Sequence, residues 1–293
     1  MAIWNLGSIN IDHVYRLPHL PKAGETIAAT ELSQGLGGKG ANQSIAAARA
    51  GAKTWHLGAM STADQWVIQQ LTDSGVIIDH IQRLTDTATG HAIILLDAQA
   101  ENSIIIYPGA NRAQDQLRLL AAAEQLDARD TLLIQNETNC QVEIAKAAKS
   151  KGVRVIYSAA PFDIDAVRAV MPHTSILAMN AGEAEALFAT LQDDLPVEAL
   201  LITRGSEGAE YRDLRSGEIS RQAAFRVQPI DTTGAGDTFA GYFAAMLDQG
   251  ADIPAALRMA AAASALQVTR MGAGDAIPTI DEVNAFLAGQ PKA

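Results

Sequence analysis

Hydrophobic residues recur along the chain in two alternating patterns. Apolar runs of strand length, such as "DTLLIQ" (130–135) and "VRVIYS" (153–158), alternate with segments whose apolar residues recur at helical spacing, such as "CQVEIAKAAKSKG" (140–152). Strands that alternate with helices in this way predict an α/β fold with a mostly parallel sheet covered on both faces. We also predict strands in "AIWNLGS", "SILAMN" and "VEALLITRG", a hairpin in "AEYRDLRSGEIS", and helices in "ANQSIAAARAG", "EAEALFATL", "DTFAGYFAAMLDQG", "IPAALRMAAAASALQVT" and "IDEVNAFLAG".

Two β-rich stretches do not fit this rhythm. The first covers residues of about 9–36, where "INIDHVYRL" and "TIAATELSQ" flank the turn-rich "PHLPKAGET". The second covers about 88–108, where "HAIILLDA" and "NSIIIYPGA", joined by "QAEN", predict a hairpin. We expect the two stretches to form a small β-sheet that serves as a lid, either to close a site or to present a dimer surface.

Composition excludes several classes of function. The chain has 293 residues and a formal net charge of −11 with no run of Lys and Arg, which argues against a nucleic-acid surface. No apolar run reaches the length of a membrane span, and the N-terminus has no signal-peptide pattern. Cys140 is the only cysteine, which fits a reducing cytoplasm. The six histidines have no metal-ligand spacing, so any metal would need oxygen ligands.

The glycine-rich stretch "QGLGGKGANQ" (34–43) matches the spacing G-x-G-x-x-G. A dinucleotide site would also need an acid about twenty residues later, and none occurs before Asp64. A Walker loop would need Ser or Thr after Lys39, where Gly40 stands. Two explanations remain: a turn that caps a helix, or a loop whose glycines bring the backbone close to a small polar ligand while Lys39 and Asn42 point at it.

The tetrapeptide Gly-Ala-Gly-Asp occurs at 234–237 and again at 272–275. Apolar residues at helical spacing follow the first copy, so its glycines lie at a helix N-terminus, where unpaired N–H groups favour an anion. Pro278 follows the second copy, which predicts a loop. Asp237 could simply stabilise the first helical turn, by about 0.3–1 kcal/mol. It could instead be a base that orients a hydroxyl during phosphoryl transfer, and the density of the motif favours this interpretation.

These motifs resemble those of the ribokinase (PfkB) family of carbohydrate kinases, nearly end to end. "GGKGANQSIAAARAG" (37–51) and "DTTGAGDTFAGYF" (231–243) are similar to the family's two signatures. "MNAGEAEAL" (179–187) resembles its N-x-x-E motif, and "ITRGSEGA" (202–209) its nucleotide-binding strand and turn. The resemblance implies one domain over 1–293: a three-layer α/β/α sandwich with a mostly parallel central sheet and a small β-sheet lid. It also implies transfer of the γ-phosphoryl group of ATP to a primary sugar hydroxyl.

The resemblance further implies roles for individual residues. Asp237 would be the catalytic base, and the backbone N–H groups of Gly234, Ala235 and Gly236 would form an anion hole. Glu183 would act near Mg²⁺ through water, although an Asn and a Glu three positions apart are also a common helix-capping pair. The implied ATP-binding residues are Asn180, Thr203, Gly205, Gly208 and Gly236. The implied sugar-binding residues are Asn10, Asp12, Gly38, Lys39, Asn42, Glu137 and Asp237.

The sugar itself is implied less specifically. Carboxylates and amides in the sugar-binding set suit adjacent hydroxyls, and the resemblance favours D-ribose. Fructose and 2-keto-3-deoxygluconate stay open, while a nucleoside is less favoured because the lid segments offer only Tyr15 and Tyr107 for stacking. A sugar-binding regulator, as a non-enzyme alternative, would be expected to have lost the base or the anion hole.

Two further expectations come from the resemblance. Asp231 and Thr233 match positions that help to bind a monovalent cation such as K⁺. Ala276 stands where these kinases usually have a serine, so we expect K⁺ dependence to be reduced, with Asp275 or backbone carbonyls as substitutes. A homodimer formed through the lid is the second expectation.

Overall fold

Two separate sheets carry the strands of this molecule. The computed structural model describes residues 1–99, 101–191 and 195–290, within which ten strands form one sheet and four strands form another. The strands are β1 (Ile3–Leu6), β2 (Asn10–Arg16), β3 (Glu31–Gly37), β4 (Thr54–Ser61), β5 (Val76–Ile77), β6 (Ile81–Leu84), β7 (Gly90–Leu96), β8 (Asn102–Tyr107), β9 (Thr131–Gln135), β10 (Arg154–Ser158), β11 (Ile176–Asn180), β12 (Ala199–Thr203), β13 (Ala209–Asp213) and β14 (Ile219–Gln222).

The larger sheet is mostly parallel, as the sequence predicts. Its order is β14-β13-β12-β11-β10-β9-β1-β4-β5, and β6 also pairs with β4. β13 and β14 run antiparallel, which confirms the predicted hairpin, while β1 pairs in parallel with both β4 and β9. All five residues of β9 are buried: Leu133 faces one helical layer, and Leu132 and Ile134 face the other. Strands buried on both faces explain the continuous apolar runs.

Helices cover both faces of this sheet. Apolar side chains of α1, α2, α7, α8 and α9 pack on one face, and those of α3, α4, α5 and α6 pack on the other, which confirms the three layers. Helix α7 lies against both α1 and α8, so almost every residue of it is buried and it has no polar face. The helices are α1 (Lys39–Arg49), α2 (Gln65–Asp73), α3 (Gln116–Ala123), α4 (Gln141–Ser150), α5 (Ile164–Val170), α6 (Ala181–Thr190), α7 (Ala235–Asp248), α8 (Ile253–Gln267) and α9 (Ile280–Ala288).

The smaller sheet is built from the two segments that do not fit the βα rhythm. Its order is β3-β2-β7-β8; β7 and β8 are antiparallel, as the predicted hairpin requires, and β2 and β7 are parallel. Ala100, within the predicted connection "QAEN", lies outside the described residues. The edge strand β8 is exposed along its whole length. That the whole chain forms one domain with this sheet as its lid stays a prediction.

Several elements are not anticipated by the sequence patterns. Strand β4 ("TWHLGAMS") lies between β1 and the edge strand β5, yet its Trp, His, Gly and Met residues give no strand signal. The short helices α2, α3 and α5 and the strands β5 and β6 are likewise missed. None of the helices in the described part of the chain has both the length and the apolar character needed to cross a membrane.

The parallel arrangement gathers several chain segments at one edge of the large sheet. Strands β1, β9, β11 and β12 run in the same direction, so the segments that follow them leave from the same edge. In open α/β sheets, ligands bind outside the carboxyl ends of the strands. The polar residues Ser8, Glu137 and Asn180 stand at or just after the ends of β1, β9 and β11.

Candidate active site

Two adjoining cavities open at this edge. The larger has a volume of about 590 Å³, and the smaller has a volume of about 190 Å³. A volume of several hundred Å³ is typical of small-molecule sites, so the larger cavity can hold a nucleotide-sized ligand. They meet at the N-terminus of α7, because both are lined by Thr203, Thr232, Ala235, Gly236 and Phe239.

The start of α7 has the geometry of an anion site. Gly234 precedes the helix in a left-handed conformation (φ 75°), and Ala235 and Gly236 form its first residues. A Cβ atom on Gly236 would meet nothing within 4 Å, so the backbone here is open to a ligand. The N–H groups and the helix dipole of such an opening turn favour negative charge. In this structure the N–H of Ala235 donates to the carbonyl of Thr232 (3.3 Å).

Asp237 lies next in this helix and lines the smaller cavity. Its side chain is nearly fully buried and accepts two amide hydrogen bonds, from Nδ2 of Asn42 to Oδ2 and from Nε2 of Gln43 to Oδ1, both at 3.1 Å. Burial raises the pKa of Asp237, and Lys39 together with the two amides opposes that rise. A carboxylate in such a position can hold or accept a proton at a working pH.

Lys39 is the cation of the site. Burial lowers the pKa of its ammonium group, but the charges of Asp237, Glu137 and Glu183 raise it by more, so the net shift is upward. Lys39 is therefore charged at neutral pH. It lines the smaller cavity together with Asp237 and Glu183, where it can neutralise negative charge on a ligand.

The predicted sugar-binding residues come together at the base of the lid. One oxygen of Glu137, Oε2, accepts hydrogen bonds from the hydroxyl of Ser8 and, at 3.1 Å, from the backbone N–H of Lys39. Burial, reinforced by the negative charge of Glu137, raises the pKa of Asp12 to about 6. Oδ1 of Asn10 accepts from Nδ2 of Asn111 at 2.7 Å. This carboxylate pair with its amides can bind a polyol.

Glycines bring the start of α1 against the first strand. Gly38 precedes the helix with φ 94°, and a Cβ there would lie 2.8 Å from the backbone nitrogen of Asn10. A Cβ on Gly40 would overlap the backbone of Gly7. The stretch follows the antiparallel strand β3 rather than a first βα turn, which argues against a dinucleotide site.

The predicted nucleotide-binding residues fall into the two cavities. Thr203, Gly205, Gly208 and Gly236 line the larger one, and Asn180 lines the smaller one with Glu183. Asn180 and Glu183 also form a capping box at the start of α6: Oδ1 of Asn180 accepts from the N–H of Glu183 (2.9 Å), and Oε2 of Glu183 accepts from the N–H of Asn180 (2.8 Å). The two roles are compatible, because the box uses only one oxygen of Glu183.

The residues of the smaller cavity suit Mg²⁺. Among the residues that the structure describes, no three His, Cys, Asp or Glu side chains are grouped to hold a metal. Mg²⁺ is commonly bound by one or two carboxylates together with phosphates and waters, which Glu183 and a triphosphate would provide.

The oxygen atoms of the predicted K⁺ site accept hydrogen bonds from other parts of the protein. The carboxylate of Asp231 accepts from the N–H groups of Thr233 (2.9 Å) and Gly272 (3.0 Å), and the carbonyl of Thr233 accepts from Gln267 (2.5 Å). Ala276 is buried and has no side-chain oxygen. The proposed substitute, Asp275, accepts a hydrogen bond from Gln70 of α2 instead. Each of these oxygens keeps a second lone pair, so among the predicted ligands only position 276 lacks a side-chain oxygen.

Several residues of the site escape the sequence patterns. Ser8 and Asn111 organise the sugar end, and Gln43 holds Asp237. Gln43 lies within the first signature and could have been singled out there, whereas Asn111 lies about 100 residues from its partners and gives no local signal. Small and apolar residues at the end of α8 also line the larger cavity, although their sequence pattern predicts only core packing: Ala261, Ser264, Ala265 and, just beyond the helix, Val268.

Comparisons with known proteins agree with this geometry. A family model described as pfkB family carbohydrate kinase matches residues 3–280. Ribokinase of Bacillus subtilis (strain 168) is 37% identical over 292 residues, covering 97% of this chain and 98% of that protein. Deoxyribokinase of Salmonella typhi is 30% identical over 306 residues, covering 98% and 99%. The structure of Arabidopsis thaliana ribokinase complexed with ribose and ATP has a TM-score of 0.87 at 29% identity, covering 99% of this chain and 100% of that one.

Proposed function

Because this chain belongs to the pfkB family of carbohydrate kinases, it is a phosphotransferase that acts on a sugar alcohol, and we propose that the sugar is D-ribose. The product would be ribose 5-phosphate, and ATP would be the phosphoryl donor. Support comes from relatives that are ribokinases, one of them complexed with ribose and ATP. A sugar-binding regulator is disfavoured because both the acid of the second signature and its glycine-rich helix start are present.

One observation carries the proposal: the carboxylate of Asp237 stands where the nucleotide-sized cavity meets the sugar end. Asp237 lines the smaller cavity with Gly236, which also lines the larger one, and it is linked to Asn42 by a hydrogen bond and to Lys39 by charge. A group in this position can contact both a sugar hydroxyl and a transferring phosphoryl group.

We infer the following reaction. The primary hydroxyl oxygen of the sugar attacks the γ-phosphorus in line, the bond from that phosphorus to the β–γ bridging oxygen breaks, and the hydroxyl proton passes to Asp237. Because the transition state of phosphoryl transfer is loose, the base is needed late and mainly orients the hydroxyl. The N–H groups of Gly234, Ala235 and Gly236 and the ammonium of Lys39 stabilise negative charge on the transferred group and on ADP.

The cation assignments follow from the donors. Mg²⁺, held near Glu183 through water and by the phosphates, would neutralise the triphosphate. We propose that K⁺ has only a weak effect, because Ala276 supplies no side-chain oxygen to the predicted site.

We further propose that two copies associate through their lids. In the lid, the edge strand β8 exposes Ile104, Ile105, Ile106 and Tyr107, and β3 exposes Leu32, an unusual concentration of large apolar side chains. Covering these side chains in a dimer would remove an unpaired sheet edge from water. We place the enzyme in the cytoplasm, where ATP is available.

An ATP-dependent turnover screen tests the proposed function. Purified protein is offered ribose, deoxyribose, fructose, 2-keto-3-deoxygluconate and adenosine in turn, with Mg²⁺ and with or without K⁺. We expect ribose to give the highest kcat/KM. A higher value for another sugar would replace the substrate, and no ATP consumption with any of them would overturn the kinase assignment.

A further inference from the structure

A chain of buried polar side chains leads from Asp237 into the protein interior. Its five members have no exposed surface at all: Asn5, Gln43, Ser44, His56 and Gln135. Each has a hydrogen-bonded neighbour in the chain. Fully buried polar side chains are unusual between a helix, here α1, and the sheet on which it packs. A catalytic base can work without such a network.

From Gln135, two successive hydrogen bonds lead toward the carboxylate. Nε2 of Gln135 donates to Oε1 of Gln43 (2.8 Å), and Nε2 of Gln43 then donates to Oδ1 of Asp237 (3.1 Å). Because the oxygen of Gln43 is held by Gln135, only its nitrogen can face Asp237. A flipped amide would place its oxygen against the carboxylate and its nitrogen against another donor.

The far end of the chain fixes Gln135 in turn. The same Nε2 of Gln135 also donates to Oδ1 of Asn5 (2.8 Å), whose Nδ2 donates to Oγ of Ser44 (2.9 Å) and to the carbonyl of Gly40 (2.8 Å). Oγ of Ser44 lies 2.8 Å from Nδ1 of His56. Burial lowers the pKa of His56 to about 4, so the whole chain is uncharged at neutral pH.

Stability alone is a poor explanation for this chain. Replacing a buried polar network by apolar groups of similar shape is often neutral or stabilising. Moreover, Oε1 of Gln135 accepts no hydrogen bond from the described residues, so the side chains of the network do not fully satisfy one another. A role at the carboxylate is the simpler reason for its presence.

We propose that Gln43 is a positioning residue, backed by Gln135, that holds the carboxylate of Asp237 in the orientation in which it receives the hydroxyl proton. Asn42 holds the other oxygen, so both carboxylate oxygens are fixed and each keeps a lone pair free. The inference rests on the proposed kinase function and on Asp237 as its base.

The charged groups around Asp237 determine in which direction its pKa should move when Gln43 is replaced. Lys39 faces it from α1 and Glu137 from the loop after β9, while Glu183 of α6 acts on Lys39 across the cavity. The amide of Gln43 stabilises the ionised carboxylate, so removing it leaves these charges in place and raises the pKa of Asp237.

The experiment compares three variants of the full chain. In Gln43→Met, which keeps the length but removes the donor, the acid limb of kcat/KM against pH should move up by about one pH unit. At neutral pH kcat should fall about tenfold, with little change in the KM for ribose. Gln135→Met should move the limb the same way by less. Ser44→Ala, which cuts the chain beyond Asn5, should lower Tm without moving the limb.

A merely structural role predicts a different result: all three variants lower Tm and leave the acid limb where it is, which would overturn the proposal. If Gln43→Met does not fold, an unmoved limb in Gln135→Met overturns it equally. Asp237→Asn separates the assignment of Asp237 as the base from the positioning role of Gln43. If that variant retains turnover, the assignment of the base fails; if it is inactive while the limb of Gln43→Met is unmoved, only the positioning role fails.

Discussion

Two glycine-rich helix starts face each other in this molecule and use glycine for opposite reasons. At the start of α1, side-chain atoms are excluded by backbone: a Cβ on Gly40 would overlap Gly7. At the start of α7, a Cβ on Gly236 would meet nothing within 4 Å. The first glycine therefore serves the packing of the fold, and the second keeps a surface open for a ligand. The same residue type has different meanings that only the surroundings reveal.

The two starts also divide the chemistry between them. Helix α1 supplies the cation Lys39 and the amides Asn42 and Gln43, while α7 supplies the acid Asp237 and the open N–H groups. The amides of the first reach the carboxylate of the second, so the two helices form one site. Asp237→Asn, Gly40→Ala and Gly236→Ala test this division of labour, and two further substitutions test the sugar end and the cation site.

The largest effect is expected for Asp237→Asn. Because the amide cannot accept the hydroxyl proton, kcat should fall by about 10³-fold or more, while ribose binding stays nearly unchanged. Steady-state turnover and calorimetric titration with ribose measure the two effects. Asp248→Asn, at the other end of the same helix, is the matched control and should retain activity. A near-normal kcat in Asp237→Asn would refute the assignment of Asp237 as the catalytic base.

The glycine comparison is sharpened by Gly40→Ala and Gly236→Ala. The overlap at position 40 should destabilise the protein by about 1–3 kcal/mol. At position 236 the methyl group has room, so Tm should hold or rise slightly, since alanine favours a helix by about 1 kcal/mol over glycine. Turnover of Gly236→Ala should nevertheless fall about tenfold, because the methyl group obstructs the anion. Equal losses of Tm in both variants would contradict the division.

A smaller effect concerns the pH dependence of stability at the sugar end. The fold holds the pKa of Asp12 at about 6, above its ordinary 3.8, so ionisation is harder in the folded state. Its contribution to stability is full below 3.8 and is lost as pH rises through about 6. Asp12→Asn should remove on the order of 2 kcal/mol of this pH dependence.

Denaturant midpoints measured across that pH window in both proteins test the expectation. Glu31→Gln, an exposed acid of the same lid, is the control and should leave the pH dependence unchanged. Identical pH dependence in wild type and Asp12→Asn would contradict the assignment; the difference between the two proteins is the test, because the lowered pKa of His56 makes wild-type stability rise with pH over part of the same window. The KM for ribose should also increase in Asp12→Asn, because the amide accepts fewer hydrogen bonds from hydroxyls.

The smallest effect is expected for Ala276→Ser. A hydroxyl at this position restores the side-chain oxygen that the family resemblance implies for the cation site, so the ratio of kcat with and without K⁺ should increase modestly over a wild-type ratio close to one. Large activation of the wild-type protein by K⁺ would contradict the proposed weak effect.

Much of the fold was predictable because most of its strands and helices have a recognisable local pattern of apolar and polar residues. Continuous apolar runs such as residues 130–135 become strands buried on both faces, and the lid segments were recognised because they break the rhythm. Strand β4 was missed because its own residues have no strand pattern; it becomes a strand by pairing with β1, which is distant in sequence.

The site was less predictable for the same reason. Residues of the signatures could be named, but the link from Gln135 to Gln43 spans 92 positions and that from Asn111 to Asn10 spans 101. The K⁺ expectation rested on Ala276 standing where a serine is usual, and the hydrogen bonds that Asp231 and Thr233 accept could not be read from the sequence.

A structure of the protein with D-ribose and a non-hydrolysable ATP analogue tests the central claim most directly. The account predicts the primary hydroxyl of ribose within about 3 Å of the Asp237 carboxylate and the terminal phosphate at the N–H groups of Gly234, Ala235 and Gly236. A sugar or a phosphate bound elsewhere, with Asp237 in contact with neither, would contradict it.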